Sequence, residues 1–284
     1  MVQNSYDDSA SLYLIPTPIG NLEDITIRSL NTLKSVDEIL CEDTRDTGIL
    51  LKQYDINKKL VSCHEYNESK MIDYVVSKLQ AGYNLGLVTD QGSPVISDPG
   101  YVVARGVINA GYNVISLPGA TAFVPALSSS GIEPSPFLFY GFLNSKSSKQ
   151  ISELKALKNL SYTIIFYESV HRLRKTLENM LSVFGDRNIA ICRELSKIHE
   201  EISRDKISCL LEKVDSMKGE FVLVVEGNKN VHDFSDLDIF THVKLYVDDG
   251  VSEKEAIKIV ARERDIAKSI VYSEYHNRKW FVWN

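Results

Sequence analysis

The sequence has few cysteines, and no two of them form a closely spaced pair. Cys41, Cys63, Cys192 and Cys209 are far apart along the chain, with no CxxC spacing. Structural zinc sites and redox-active thiol pairs both need closely spaced cysteines, so neither is predicted. We expect the four residues to be buried, reduced thiols of a cytosolic protein.

Long hydrophobic runs are also missing. One long uncharged stretch, residues 106–132, is interrupted by glycines and prolines, whereas a membrane-spanning helix needs about 20 consecutive apolar residues. The first ten residues are polar and acidic, and they lack the basic start and apolar core of a secretory signal. The sequence therefore predicts a soluble, cytoplasmic protein.

Positive charge is scarce overall. The formal net charge is −6, which disfavours a general polyanion binder, because nonspecific affinity for nucleic acid comes from neutralised phosphates. Residues 142–175 are an exception, with seven Lys or Arg against two acids. This segment is equally compatible with a solvated surface and with a surface that faces RNA.

The motifs of several enzyme classes are absent. No GxGxxG or GxxxxGK[ST] pattern indicates a dinucleotide or nucleoside triphosphate site. No GxSxG or HExxH pattern supports a hydrolase.

What the sequence does contain is a regular alternation of short apolar runs with helical patterns. The predicted strands cover residues 12–16, 37–41, 60–63, 85–89, 113–117, 137–141, 162–167, 188–192 and 221–226. The predicted helices between them cover residues 26–35, 44–52, 68–80, 100–110, 120–130, 148–158 and 170–184. This alternation predicts two α/β lobes, over residues 11–117 and 118–228, the first with a largely parallel sheet and the second with a mixed one.

A polar linker over residues 227–238 precedes three short helical patterns, at 239–247, 252–264 and 267–276. Ser252 and Glu255 form the S-x-x-E pattern of a capping box, which predicts the start of the middle helix. Three short helices in succession predict a helix-turn-helix-like appendage over residues 235–284.

Three loops rich in glycine and proline each follow a predicted strand. They cover residues 16–21, 89–100 and 117–122. Ligands of open parallel sheets bind beyond the carboxyl ends of the strands, so three such loops on one edge predict one shared pocket. Their composition fits an adenosine ligand better than a pyrophosphate, and Asp90 is placed to meet a cationic or hydroxyl-bearing group of that ligand.

The order of the motifs resembles that of one family. The matching segments are TPIGNLEDIT (17–26), EDTR (42–45), HEYN (64–67), ISDPGY (96–101), FYESVHR (166–172), REL (193–195) and KGEFVLVVEG (218–227). Over residues 11–228 the chain resembles the ribosomal RNA small subunit methyltransferase I family. That family is the 16S rRNA (cytidine 2′-O) methyltransferase branch of the tetrapyrrole methylases.

The resemblance implies two α/β lobes of the tetrapyrrole methylase fold, with S-adenosylmethionine in the cleft between them. It also implies a cytoplasmic homodimer that acts on 16S rRNA or on the assembled small ribosomal subunit. The residues that match the family's cofactor positions are Pro18, Ile19, Asp90, Ser93, Thr121 and Ala122 from the first three loops, and Tyr167, Leu195 and Glu220 from the second lobe.

Methylation of a ribose hydroxyl is an in-line displacement in which alignment is the protein's main task, and a general base can assist it. The sequence does not choose between five candidates for that base, Asp43, His64, Glu65, Glu168 and His171. Arg45 and Arg172 are candidate phosphate contacts, since the guanidinium group matches phosphate geometry. No metal is predicted.

Two departures from the family pattern concern the pocket. Gln91 stands where the family usually has alanine, and Ala120 stands where it usually has proline.

Two alternative functions remain, methylation of a tetrapyrrole on the same fold and non-catalytic binding of nucleic acid. The appended helices and residues 42–45 favour RNA over a soluble macrocycle. The weak charge of residues 244–279, with eight bases and seven acids, disfavours a dedicated nucleic-acid binder.

Overall fold

The computed structural model describes residues 3–5, 8–229, 237–264 and 266–282, with residues 279–282 described by their backbone alone. The chain divides into two compact units, residues 1–229 and 230–284. Most of the predicted linker, residues 230–236, lies outside the described residues. No helix in the described ranges combines the length and the apolar character that crossing a membrane requires.

The first sheet is wholly parallel, as the alternation predicts. Its spatial order is β3-β2-β4-β1-β5. The strands are β1 (Ser11–Leu14), β2 (Glu38–Cys41), β3 (Lys59–Ser62), β4 (Leu85–Leu87) and β5 (Asn113–Ser116). They are connected by α1 (Ile27–Ser35), α2 (Thr44–Gln53), α3 (Glu68–Gln80) and α4 (Tyr101–Asn109). Every predicted element of this half is present, with ends shifted by no more than two residues.

Side-chain caps set the starts of α1 and α2. Thr26 Oγ1 accepts a hydrogen bond from the Ser29 amide at 2.9 Å, and Asp43 Oδ1 accepts one from the Arg45 amide at 2.8 Å. A cap of this kind satisfies an amide that has no partner inside the helix, which stabilises the helix by about 1 kcal/mol. The caps therefore fix where each connection turns into its helix.

The second sheet is mixed, in the order β6-β7-β10-β8-β9, and only β6 and β7 are parallel. Its strands are β6 (Phe137–Phe142), β7 (Thr163–Ser169), β8 (Asn188–Arg193), β9 (Glu201–Lys206) and β10 (Glu220–Val225). The helices of this half are α5 (Phe123–Ser130), α6 (Ser147–Leu157), α7 (Leu173–Phe184) and α8 (Ile207–Leu211).

Strand β9 is not predicted by the sequence. Four of its six residues are charged, and most of the strand is exposed. It lies at the edge of the sheet and pairs only with β8. Charged edge strands are common because they discourage pairing with other chains. Pairing with β8, and not a hydrophobic pattern of its own, makes this segment a strand.

One apolar cluster contains residues from both halves of this unit. Ile19, from the loop after β1, packs with Ala126 of α5, Ile165 of β7, Leu195 and Val224 of β10. All five side chains are at least nine-tenths buried. Burying a side chain as large as isoleucine contributes about 1.5–3 kcal/mol. Ile19 thus ties a loop of the first sheet to the core of the second.

The C-terminal unit contains α9 (Ile239–Asp248), α10 (Glu253–Glu263) and α11 (Lys268–Val282). It has its own apolar core, which includes Val243, Ile257, Val260, Val271 and Tyr275. All three predicted helices are present.

The predicted capping box of α10 is wrong. Ser252 is the residue before the helix, but its side chain makes no capping hydrogen bond. Glu255 instead accepts a hydrogen bond from Lys258 Nζ at 2.9 Å. In a capping box the Glu255 carboxylate would accept a hydrogen bond from the Ser252 amide. Here Lys258, one turn further along α10, is the donor instead.

The prediction for the cysteines is confirmed for three of the four. Cys41, Cys63 and Cys192 are buried and free, whereas Cys209 is free but exposed. Cys209 lies on α8, which buries Ile207 and Leu210 and so turns the intervening residues outward. A helix this short gave no periodicity from which the orientation could be predicted.

Glu38, at the start of β2, is a buried carboxylate with three partners. Its Oε1 accepts hydrogen bonds from Lys59 Nζ at 3.0 Å and Lys78 Nζ at 2.7 Å, and Oε2 accepts one from the Tyr74 hydroxyl. Burial by itself raises the pKa of Glu38. The bonds from Lys78, Tyr74 and Lys59 outweigh that effect and lower the pKa to about 2.

We expect Glu38→Gln to lower the free energy of unfolding at pH 7 by about 1–3 kcal/mol, because a charged hydrogen-bond acceptor is lost. The pKa of Glu38 is lower in the folded state, so its contribution is present above the ordinary value of 4.5 and is lost as the pH falls toward about 2. Urea unfolding at pH 7 and pH 3 measures this. Glu133→Gln, at an exposed site, is the control, and a loss in Glu38→Gln that is independent of pH contradicts the prediction.

Candidate functional site

A cavity of about 490 Å³ lies between the carboxyl edge of the first sheet and the second sheet. On one side it is lined by residues that directly follow β1, β2, β4 and β5. On the other side it is lined by the ends of β6, β7 and β8 and by the start of β10. The polar and charged residues of the wall are Glu42, Asp90, Gln91, Ser93, Ser97, Asp98, Thr121, Tyr167, Glu168, Ser169 and Glu220.

The three glycine- and proline-rich loops are joined by hydrogen bonds at this edge. The Thr17 amide donates to the Gly92 carbonyl at 2.9 Å, and the Gly92 amide donates to the Thr17 carbonyl at 3.1 Å. Ser93 Oγ donates to the Ala120 carbonyl at 3.0 Å. The structure therefore brings together the loops that the sequence placed on one edge.

Close packing requires glycine in the third loop. A Cβ atom on Gly119 would lie 2.6 Å from Pro16 Cβ, which is too close for any side chain. The backbones of the first and third loops can approach each other only because this position has no side chain.

Strained backbone is concentrated beside the cavity. Val95, Ser97, Glu194 and Ser196 have φ angles of 78°, 65°, 51° and 68°, a region that residues other than glycine seldom adopt. The first two flank Ile96 and the last two flank Leu195, and both of those side chains line the cavity. Such strain persists only where the surroundings hold it, often at binding sites.

Eight of the nine residues that match the family's cofactor positions line this cavity. They are Ile19, Asp90, Ser93, Thr121, Ala122, Tyr167, Leu195 and Glu220. The ninth, Pro18, is buried and does not line the cavity. Their binding of a cofactor stays a prediction, but the fold brings residues from distant parts of the chain to one cavity.

Tyr167 connects the two sides of the cavity. Its hydroxyl interacts with the Thr121 side chain and with the backbone at the start of α5. Burial raises the pKa of this tyrosine, so the hydroxyl stays protonated at neutral pH.

Three carboxylates, Glu42, Asp90 and Asp98, line the cavity near one another. Burial raises the pKa of each, and repulsion from neighbouring carboxylates raises it further, from Asp90 at Glu42, from Asp46 and Asp43 at Asp90, and from Glu42 and Asp90 at Asp98. The effect is largest at Asp98, whose pKa rises to about 7. Within the described part of the chain, Asp98 has no hydrogen bond or ion pair. The sequence analysis missed Asp98 and Glu42 as site residues, although both belong to segments that match the family.

Two of the predicted catalytic candidates are engaged in other contacts. Asp43 caps α2 and pairs with Arg45, whose hydrogen bonds hold the pKa of Asp43 well below its usual range. Glu168 lines the cavity but is almost fully buried. Its oxygens accept hydrogen bonds from the Ser169 amide at 2.8 Å and from Thr176 Oγ1 at 2.5 Å. A carboxylate held in this way is a poor acceptor for a substrate proton.

The other three candidates do not line the cavity. His64 and Glu65 lie close enough to Glu42 to affect its pKa, and His64 Nδ1 is buried without a hydrogen-bond partner among the described residues. His171 is exposed in the loop before α7. These residues are at the margin of the site, and their catalytic roles stay predictions.

The two candidate phosphate contacts differ in their surroundings. The Arg45 side chain is 86% exposed and contacts Asp43, so it can still meet an anion. Arg172 donates to the Leu143 carbonyl at 2.5 Å and lies 3.4 Å from Glu168 Oε1. Arg172 therefore holds the loop between β7 and α7.

In the described ranges, no group of His, Cys, Asp and Glu side chains has an arrangement that could hold a metal ion.

Comparison with known proteins places the fold in one class. Residues 11–210 match the family model of Tetrapyrrole (Corrin/Porphyrin) Methylases. The crystal structure of uroporphyrin-III-C-methyltransferase from Thermus thermophilus superposes with a TM-score of 0.56, at 19% identity, over 80% of this chain and 98% of that one. The methyltransferase CobJ superposes with a TM-score of 0.60, at 15% identity, over 77% and 95%. The protein is a tetrapyrrole methylase by fold, as predicted, and methyltransferases of this class use S-adenosylmethionine.

Relatives of higher identity define the family within that class. Ribosomal RNA small subunit methyltransferase I of Bacillus subtilis (strain 168) is 46% identical over 281 residues, which are 96% of each chain. The protein of the same name from Escherichia coli O157:H7 is 39% identical over 275 residues, 95% of this chain and 96% of its own. The chain belongs to the ribosomal RNA small subunit methyltransferase I family.

Among the described residues Asp98 has no partner that stabilises its charge, so we expect Asp98→Asn to stabilise the protein at pH 8. The pKa of Asp98 is raised from 3.8 to about 7 in the folded state, so stability is lost as the pH rises through this window. After allowance for solvent screening the gain is about 1–2 kcal/mol, or about 3–6 °C in Tm. Thermal unfolding at pH 8 and pH 4 measures it. An equal gain at both pH values contradicts the electrostatic cause.

Proposed function

We propose that this protein transfers a methyl group from S-adenosylmethionine to the ribose 2′-hydroxyl of a cytidine in 16S ribosomal RNA. The observation that carries the proposal is the 46% identity to a ribosomal RNA small subunit methyltransferase I over 96% of both chains. The same family resemblance is the basis for proposing a homodimer in the cytoplasm.

The cofactor site is the cavity between the two sheets. Its volume of about 490 Å³ is suitable for a ligand of nucleoside size. The loops after β1, β4 and β5 supply backbone that can approach the cofactor closely. Glu42 and Asp90 supply negative charge that favours a ligand with a sulfonium and an ammonium group. When bound, the cofactor supplies an activated methyl group, and the chain aligns it with the hydroxyl.

The two alternatives have less support. The structures of uroporphyrin-III-C-methyltransferase and CobJ are 19% identical to this chain or less and carry the fold alone. The relatives that are 39–46% identical are named for ribosomal RNA. A non-catalytic nucleic-acid binder would not need a cavity walled by acidic side chains, because nucleic acid binds to positive surfaces.

We expect Asp90→Ala to weaken the binding of S-adenosylmethionine by about ten- to a hundredfold, since a hydrogen bond to a charged group contributes about 1.5–3 kcal/mol. Calorimetry with the purified protein measures the affinity. Mapping of 2′-O-methylation on 16S rRNA measures function in cells that lack the protein and carry either the wild-type gene or the variant.

Asp73→Ala, at an exposed site on α3, is the matched control. Unchanged affinity in Asp90→Ala contradicts the role of Asp90. Full ribose methylation in cells without the protein contradicts the proposed function itself.

The C-terminal unit is proposed to dock the RNA substrate. It has its own core, and Asn228 still belongs to the first unit, where its amide donates to the Leu160 carbonyl at 2.7 Å. We therefore expect a chain that ends at Lys229 to bind S-adenosylmethionine with unchanged affinity but to bind and methylate 16S rRNA at least about tenfold more weakly, as the loss of a few phosphate contacts implies.

Three measurements on this truncated protein test docking, namely cofactor affinity, RNA affinity and mass in solution. Loss of cofactor binding contradicts the docking role. Dissociation of a dimer with unchanged RNA affinity also contradicts it, and indicates that the unit is a dimer contact.

A further inference from the structure

We propose that Asp98 is the general base that takes the proton from the ribose hydroxyl during methyl transfer. This inference rests on the proposed function and assigns a role that neither the family motif nor the sequence analysis gave to this residue. It depends on where Asp98 lies, on how its backbone is held and on what its side chain does not contact.

The side chain of Asp98 is a half-buried wall of the cavity. No side chain or backbone group in the described ranges donates a hydrogen bond to it, and its oxygens are not among the buried atoms that lack a partner. The carboxylate is therefore open to the cavity, and a ligand hydroxyl is a suitable donor to it. A carboxylate oxygen that faces a ligand hydroxyl is also the atom that can accept its proton.

The backbone around Asp98 is held from both sides. The Val95 amide donates to the Pro99 carbonyl at 3.2 Å and closes the loop. Buried Glu68 accepts hydrogen bonds from the amides of Gly100 and Val102, the latter at 3.1 Å. These contacts fix the segment between β4 and α4, so the carboxylate needs little reorganisation to meet a substrate.

The other acidic groups near the cavity are less suited to this task. Asp43 and Glu168 have strong partners already, and Asp90 accepts a hydrogen bond from the Asp43 amide at 3.3 Å. Glu42 also has no hydrogen bond in the described part of the chain. It lies nearer to the edge of the cavity, close enough to His64 and Glu65 for their charges to affect its pKa. Glu42 is therefore the residue against which Asp98 must be tested.

The charged and titratable groups that face Asp98 are Glu42 after β2, Asp90 after β4 and Tyr167 on β7. None of them is cationic, so none of them stabilises the carboxylate charge. The pKa of Asp98, raised to about 7 by burial and by the charges of Glu42 and Asp90, suits proton transfer near neutral pH, where a base must be both deprotonated and basic.

The step balances without any further reactant. The ribose oxygen forms a bond to the methyl carbon as the bond from that carbon to sulfur breaks, and the sulfonium becomes a neutral thioether. The hydroxyl proton passes to an oxygen of Asp98, which later releases it to solvent. One carboxylate charge and one sulfonium charge are thus neutralised inside the cavity.

The test is the single-turnover rate of methylation of small ribosomal subunits by the full-length protein at saturating S-adenosylmethionine. We expect Asp98→Asn to lower this rate by about 10²–10⁴-fold while the calorimetric affinity for the cofactor changes little. The wild-type rate rises about tenfold per pH unit below the pKa that Asp98 has in the complex and levels off above it, whereas the rate of Asp98→Asn does not follow this profile. Asp98→Glu keeps the pH dependence at a reduced rate, and Asp73→Asn is the exposed control.

Several results would overturn the assignment. One is a rate in Asp98→Asn within a few fold of the wild type. Another is a loss of cofactor affinity with an unchanged rate at saturation, which makes Asp98 a cofactor ligand. A third is transfer of the pH profile to Glu42, such that Glu42→Gln removes it and Asp98→Asn does not. Absence of methylation by the wild-type protein contradicts the proposed function, and the inference with it.

Discussion

The cavity depends on the hydrogen bonds that join the loops after β1, β4 and β5. The paired bonds between Thr17 and Gly92 hold two of these loops together, and Ser93 connects them to the third through the carbonyl of Ala120. Gly119 lets the third loop reach Pro16. Only with this junction in place do side chains from separate parts of the chain face the same space. The second sheet then closes that space, because Ile19 extends from the junction into its core.

Similar carboxylates have opposite electrostatic roles in this protein. Glu38 has three donors, which lower its pKa and make the charge a source of stability. Asp98 has no donor in the described part of the chain, and its raised pKa makes the same charge a cost at neutral pH. An acidic side chain that has no hydrogen bond from the protein is available to bind a ligand. Such an arrangement usually lowers the stability of the folded state.

Departures from the family motif lie within the same junction. Gln91 lines the cavity, whereas Ala120 contributes its carbonyl to the bond from Ser93. A backbone carbonyl is present whether position 120 is alanine or proline, so this departure leaves the junction intact. Gln91, in contrast, adds a side-chain amide to the lining of the cavity. Of the two departures, it is therefore the one that changes the chemistry of the pocket.

The sequence by itself determined most of the elements and the placement of the three loops, because periodicity, helix caps and turn residues act over a few positions. It also determined the family, through long contiguous motifs. Only the tertiary structure decided that β9 is a strand, that Glu168 and Arg172 hold a loop, and that Asp98 has no hydrogen-bond partner among the residues the structure describes. The sequence could not show these properties, because they depend on contacts with residues distant along the chain: β9 needs the edge of β8, Arg172 needs the Leu143 carbonyl, and the environment of Asp98 is formed by Glu42 and Tyr167.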